Sequence, residues 1–241
     1  MSENGRLVSV VVPAHNEAEN LEILLPRLHA ALKTLPVPFE IIVVDNASTD
    51  HTPAVIENFR AQMPEVRRVS EPTMGYGRAV LCGFREAQGG GIGIIRADNQ
   101  EKAEDLVRMI ESLLSDDKNV FYKAVRMHRI NDGWKRVIIS RVYNLLFKIL
   151  FGLRSKDLNA TPKVFTRTYL DAAKLESLDW FIDAEMVIKA ERMGYTVNEM
   201  DIEYLPRLKG TSTVRMRHIF EFLGNMLRWW LRVLHGRLLE K

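Results

Sequence analysis

The chain holds a single cysteine, Cys82, among 241 residues. That excludes a disulfide framework and a cysteine-ligated metal, and it fits a reducing compartment. Unbroken apolar runs of about 18 residues, the length a membrane-crossing helix needs, are also missing. The longest candidates, residues 137–153 and 219–234, are broken by Arg, Lys, Asn or Glu. The opening residues, Met1-Ser-Glu-Asn-Gly-Arg6, are polar and lack the apolar segment of a secretion signal. Neither Gly-x-x-x-x-Gly-Lys-Ser nor Gly-x-Gly-x-x-Gly occurs, which argues against a P-loop ATPase or a dinucleotide enzyme. There are no repeats, low-complexity stretches or linkers. With 46% apolar and 27% charged residues of both signs, one large domain, or one domain with an appendage, is expected.

Net charge is only +3, but it is unevenly placed. Residues 207–241 carry eight Lys or Arg against two acids, Glu221 and Glu240, and are rich in Trp, Phe and Leu. Such a tail reads either as a helix with a solvated face or as a segment that meets an anionic membrane surface or anionic lipid.

Three apolar, β-branched runs each stop at a polar cluster. They are Val8-Ser-Val-Val-Val-Pro-Ala-His-Asn-Glu17, Ile41-Ile-Val-Val-Asp-Asn-Ala-Ser-Thr-Asp50 and Ile92-Gly-Ile-Ile-Arg-Ala-Asp-Asn-Gln100. Buried parallel strands read this way, and in open α/β sheets ligands bind beyond their carboxyl ends. Helical periodicity fills the gaps: 18–35, closed by Pro36 and Pro38; 52–63, with Thr52 as N-cap and Pro53 next; 75–87; and 101–114. With a short strand at 66–70, the first half reads βαβαβαβα, a mostly parallel sheet with right-handed crossovers. The second half is less regular. Strands are expected at 120–124, 163–165 and 195–203. Helices are expected at 137–151, at 184–193 with Gly194 just past its end, and at 219–234.

Each polar cluster has a plain and a sharp reading. Asp98 and Gln100 either form a turn or offer oxygens to a hard divalent cation that also takes phosphate oxygens. Asp45 either caps the following helix or accepts from a base or ribose. Glu17 either favours a helix N-terminus through its dipole or meets a ribose. Asp183 and Glu185, placed before a helix, are either dipole partners or a catalytic carboxylate and its neighbour. Gly75-Tyr-Gly-Arg is weak evidence for a phosphate loop.

In order, Pro13-Ala-His-Asn-Glu17, Val44-Asp-Asn-Ala-Ser-Thr-Asp50, Gly75-Tyr-Gly-Arg-Ala79, Ala97-Asp-Asn-Gln100, Asp183-Ala-Glu185 and Arg207-Leu-Lys-Gly-Thr-Ser212 are similar to the motifs of family 2 glycosyltransferases. The chain resembles the dolichyl- or polyprenyl-phosphate mannosyltransferase-like branch over about residues 7 to 215. The resemblance implies an α/β fold of the GT-A type, a Rossmann-like, mostly parallel sheet flanked by helices. It also implies inverting transfer from a nucleotide-diphosphate sugar, with Mg²⁺ or Mn²⁺ on the diphosphate. Carried over, Pro13, His15, Glu17, Asp45, Asn46 and Gly75 line the nucleotide site, and Asp98 and Gln100 hold the metal. Arg126, Arg136 and Ser140 take the acceptor phosphate. Arg207 and Lys209 neutralise a phosphate, so Asp98, Asp183 and Arg207 form the catalytic set.

Two departures stand out. Arg96 occupies the first acid position of the family's Asp-x-Asp, and Asn46 the second of its Asp-Asp. Arg96 removes a metal or sugar contact and adds positive charge beside the diphosphate. Leu158-Asn-Ala-Thr-Pro-Lys-Val-Phe165 replaces the family's usual Gly-Phe-Lys form, so Asn159 and Thr161 are candidates to shape the sugar or acceptor pocket.

Metal and arginine stabilise the charge that grows on the leaving diphosphate. A phosphate acceptor arrives ionised and needs no strong base, whereas a hydroxyl acceptor would need Asp183. The expected function is hexose transfer, from GDP-mannose or a UDP-sugar, to a polyprenyl or dolichyl phosphate. The expected place is the cytoplasmic face of a membrane, where the enzyme would be peripheral, and no nucleic acid is expected as a partner. The expected division is a catalytic domain at 1–215 and an amphipathic, membrane-associated helix at 216–241. Transfer to a hydroxyl, and a nucleotide-sugar-binding protein without catalysis, remain the alternatives.

Overall fold

A computed structural model of the chain describes residues 7–116, 119–127, 145–206 and 224–232. The elements alternate: β1 (Val8–Ala14), α1 (Ala18–Leu32), β2 (Phe39–Asn46), α2 (Thr52–Gln62), β3 (Val66–Glu71), α3 (Tyr76–Glu86), β4 (Gly91–Ile94), α4 (Ala103–Ser115) and β5 (Val120–Met127). Helix α5 (145–151) follows. Then come β6 (Lys163–Thr166), α6 (Arg167–Ala173), α7 (Ile182–Arg192) and β7 (Thr196–Glu203). Helix α8 (224–232) is the last described element.

The seven strands form one sheet in the order β3-β2-β1-β4-β6-β5-β7. Pairings are parallel except for those of β6, which runs against both β4 and β5. Both faces are covered, so the strands are apolar on both sides. Val8, Val10, Val12, Ile41 and Val43 pack under α1, α2 and α4. Val11, Ile42, Val44, Ile92, Ile94, Phe121 and Phe165 pack under α3, α6 and α7. Neighbouring residues therefore alternate between two cores, the period of two that a strand imposes.

Pro13 lies within β1, where a missing N–H would normally break a ladder. Its register partner is Val44 on β2, while the pairing with β4 ends at Val11. No donor is needed on the open side. That gap marks where the sheet splits between β1 and β4, the place where open α/β sheets hold ligands.

The strands and helices of the first half lie where periodicity puts them. Thr52 is the exception at a boundary: it is the first helical residue of α2, and its hydroxyl accepts from the Glu17 N–H at 2.9 Å. Asp183 and Glu185 lie inside the first turn of α7, not before it. Gly194 follows that helix with φ +80°, as a C′ glycine should. Helix α6 has no counterpart in the periodicity; the Thr166 hydroxyl caps it by accepting from the Tyr169 N–H at 3.2 Å.

Candidate active site

The loops after β1, β2 and β4 meet at one edge of the sheet. Asn16, with φ +54°, takes the N–H groups of Thr49 and Asp50 on its side-chain oxygen at 2.7 and 3.3 Å. The Asn16 N–H donates to the Ser48 hydroxyl at 3.1 Å. On the other side, the Asn99 amide donates to the Asn20 carbonyl at 2.8 Å. Glu17 and Asp98 thus follow β1 and β4, and Asp45 lies at the carboxyl end of β2, three adjacent parallel strands ending at one edge. Glu17 takes a bond from the Asn20 amide. His15 Nδ1 is 2.7 Å from the Asn46 carbonyl oxygen. Asp45 is buried; one oxygen takes Arg68 at 2.8 Å and the other the Ser48 N–H at 3.2 Å.

Asn46 explains one departure. Its amide nitrogen donates to the carbonyls of Glu71 and Thr73 at 3.2 and 2.8 Å, and its oxygen accepts from the Gly75 N–H at 2.8 Å. A carboxylate could make only the last of these bonds. Asn46 therefore fixes the loop between β3 and α3. The glycines of that loop answer to packing. A Cβ on Gly77 would lie 2.4 Å from the Ser177 carbonyl, because α3 begins against the main chain of residues 177–179.

Asp98 is buried and takes the Gln100 N–H at 3.3 Å. The Gln100 oxygen accepts from the Tyr204 hydroxyl at 2.9 Å, and its amide donates to the Leu205 carbonyl at 3.2 Å. One lone pair of that oxygen is still left over. Among the described residues no cluster of three His, Cys, Asp or Glu could hold a metal by itself. Asp98 and Gln100 fit a hard divalent cation that fills its other positions with substrate phosphate oxygens.

Beyond β4 the site changes character. Lys163 on β6 is fully buried and lies 2.6 Å from Asp183 Oδ1, while Arg96 Nη2 is 3.8 Å from Asp183 Oδ2. Arg96 also lies 3.9 Å from Glu101, donates from its main chain to Glu101 at 3.2 Å, and from Nη2 to the Asn159 carbonyl. Thr161 donates to Glu101. Burial pushes the Glu101 carboxyl up, against the pull of Arg96, and pushes the Lys163 ammonium down, against the pull of Asp183. Lys123 stands directly across from Lys163 in the β5–β6 ladder. Its ammonium, buried and 3.5 Å from Glu199, is lowered to about 8, chiefly by burial. Arg126 grips Asp157 with two nitrogens at 2.6 and 2.8 Å and lies 5.1 Å from the Tyr204 ring centre. Any phosphate at Arg126 must therefore share it with Asp157.

Glu185 is structural: it takes the N–H groups of Glu176 and Ser177 at 2.9 and 2.8 Å and pairs with Lys189. Arg136, Ser140, Arg207 and Lys209 lie outside the described residues. Sequence reasoning passed over Tyr76, Glu101, Asp157, Lys163 and Tyr204. Only Lys163 gave a signal, as a lysine inside an apolar strand.

The model of glycosyl transferase family 2 matches residues 9–176. The polyprenol monophosphomannose synthase of Mycolicibacterium smegmatis is 26% identical, over 95% of this chain and 88% of its own. The undecaprenyl-phosphate mannosyltransferase of Micrococcus luteus is 27% identical, over 93% and 94%. Glycosyltransferase AglD of Haloferax volcanii is 29% identical over 98% of this chain, which spans only 39% of that longer protein. Glucosyl-3-phosphoglycerate synthase from Mycobacterium tuberculosis, solved with Mn²⁺, UDP and phosphoglyceric acid, superposes with a TM-score of 0.69. It is 20% identical, over 97% of this chain and 79% of that one, so the likeness carries the GT-A fold alone. By the extent of the family match, and with the site at the expected edge of the sheet, the chain is a glycosyltransferase that belongs to glycosyl transferase family 2.

Proposed function

We propose that the chain transfers a hexose from a nucleotide-diphosphate sugar to a polyprenyl phosphate, with inversion, at the cytoplasmic face of a membrane. The pairing of Asp183 carries this reading. Lys163 faces one carboxylate oxygen and Arg96 the other, so the acid is poorly placed to take a proton from a hydroxyl. A phosphate acceptor makes no such demand: its oxygen attacks the anomeric carbon, and the bonding electrons leave with the nucleoside diphosphate. Mg²⁺ or Mn²⁺ on Asp98 and Gln100 would stabilise the charge of that leaving group. The polyprenyl-phosphate names of two relatives that align over nearly their whole length support the acceptor class.

The membrane part rests on α5 and α8. Each turns large aromatics inward: Phe147 and Trp229 both pack on Phe181, with ring centres 5.8 and 5.6 Å from it. Each leaves aliphatic side chains outward: Leu145 and Ile149 on α5, Leu227 and Leu231 on α8. Lys148 and Arg228 are exposed beside them. Apolar and cationic side chains on one surface suit an anionic bilayer, and α8 lies within the proposed appendage of residues 216–241. No described helix is long and apolar enough to cross a membrane.

The test supplies radiolabelled GDP-mannose or UDP-glucose with Mn²⁺ to the full chain and vesicles containing undecaprenyl phosphate. Label extractable into organic solvent is expected with the phosphate and absent with undecaprenol. Transfer to the alcohol alone would overturn the reading. With the phosphate acceptor, Asp183→Asn assayed at low temperature is expected to keep kcat within about tenfold, a loss well below that of an essential base.

A further inference from the structure

Three cations, buried Lys163 and half-buried Arg96 and Arg126, gather beyond β4, and one is loosely held. Lys163 lies 2.6 Å from its carboxylate and Arg126 grips its own at 2.6 and 2.8 Å. The Arg96 guanidinium comes no nearer than 3.8 and 3.9 Å to Asp183 and Glu101. Its short contact is to a neutral carbonyl, that of Asn159, and its Nε, though buried, makes no hydrogen bond of normal length among the described residues. Tyr76 lies against Arg96, close enough for its hydroxyl oxygen to take the guanidinium and to feel the charges of Asp183 and Glu101, and its buried O–H has no other acceptor among the described residues. The Tyr76 ring is fixed by stacking on Trp180, centres 4.4 Å apart and planes 11° apart. A phenol O–H buried against a guanidinium has only donors beside it, which is unfavourable unless something else accepts from the pair.

We infer that Arg96 and Tyr76 form an oxyanion site that takes a phosphate oxygen of a substrate, either the acceptor monophosphate or the leaving diphosphate. The inference rests on the function proposed above and adds two ligands to it. Lys163 offsets the charge of Asp183 at short range, which leaves Glu101, at 3.9 Å, as the acid an incoming anion competes with for Arg96. A guanidinium is weakly hydrated and its planar fork matches phosphate oxygens, while the phenol adds a neutral donor. Asn159, whose main-chain carbonyl takes Arg96, has a buried side-chain oxygen without a hydrogen-bond partner among the described residues, and a half-turn of its amide would present an N–H₂ there instead.

The experiment measures binding by calorimetry to the full chain and to Arg96→Gln, Arg96→Lys and Tyr76→Phe. The probes are geranylgeranyl phosphate and geranylgeraniol in micelles, and GDP and UDP with Mn²⁺. Arg96→Gln and Tyr76→Phe are expected to weaken at least one phosphate probe about tenfold or more, the scale of one charge-assisted hydrogen bond. Arg96→Lys should restore part of that loss, and geranylgeraniol should bind unchanged. Loss confined to geranylgeranyl phosphate assigns the acceptor, and loss confined to the nucleotides assigns the donor. Binding of all probes within twofold of wild type would overturn the inference, as would equal weakening of the alcohol. Should Arg96→Gln fail to fold, Tyr76→Phe decides, since it removes one oxygen and keeps the stacked ring. If the wild-type chain binds no phosphate probe, the proposed function falls too; if it binds and the variants match it, only this inference falls.

Discussion

The two sides of the sheet hold their working groups by different means. On the β1–β2 side, amides, hydroxyls and main-chain N–H groups tie the strand-end loops together, as Asn16, Asn46 and Ser48 do, and the buried acids Asp45 and Glu40 each pair with a half-buried arginine, Arg68 and Arg67, at the edge. On the β6–β5–β7 side, charges lie inside the fold: Lys123, Lys163, Asp183, Glu101 and Asp157 are all buried. Neutral hydrogen bonds are modest and forgiving, worth about 1 kcal/mol each. Buried ions are stabilised only by their partners, and removing one partner strands the other. The first side is thus built as a scaffold for a polar ligand, while the second is a charge lattice with Arg96 as its loosest member.

Asp98 sits at the seam between them, and its loss should have the largest effect. Asp98→Ala is expected to lower transfer by roughly 10²–10³ while leaving the fold intact, measured as kcat on the radiolabelled donor. On the charged side, Lys163→Met should destabilise by about 3 to 5 kcal/mol in urea unfolding, since Asp183 is left buried with only the longer contact to Arg96. The double variant Lys163→Met/Asp183→Leu should recover much of that loss; if it does not, the lattice is not what holds this half together. On the β1–β2 side, Asn46→Asp forfeits both N–H bonds to the Glu71 and Thr73 carbonyls and should cost about 2 kcal/mol, read in the same way. A loss equal to that of Lys163→Met would erase the contrast.

The smallest effect is a pH slope. Unfolded, Lys123 keeps its proton up to its model-peptide value of 10.5; folded, only up to about 8. Between those values the unfolded chain binds more protons, so this group makes stability rise with pH, its full penalty being felt below about 8. Glu199, Lys163 and Asp157 are the charged groups facing it. From pH 7 to 9 the gain is about 1 kcal/mol. It should vanish in Lys123→Met, as the difference between the two unfolding curves.

Much of this was legible in the linear chain. A strand must present alternate residues to opposite faces, so runs such as Ile41-Ile-Val-Val44, apolar throughout, can only be buried on both sides. Polar residues that end such runs must gather at the carboxyl edge, and so Glu17, Asp45 and Asp98 could be grouped without coordinates. The structural parts of Asn46 and Gly77 were not legible, since hydrogen bonds to Glu71 and Thr73, and the approach of residues 177–179, connect distant segments. Helix α6 went unseen because seven residues carry too little periodicity.

What the sequence determined alone is the layered α/β plan and the edge where its polar loops converge, because periodicity and β-branching act over neighbouring residues. What only the tertiary structure decided is the charge balance at that edge. Arg96 meets Asp183, 87 positions away, and Lys123 faces Lys163, 40 away, only because β6 reverses between β4 and β5. Coulombic pairing depends on distance through space, and nothing in the order of residues encodes that distance until the strands have chosen their partners.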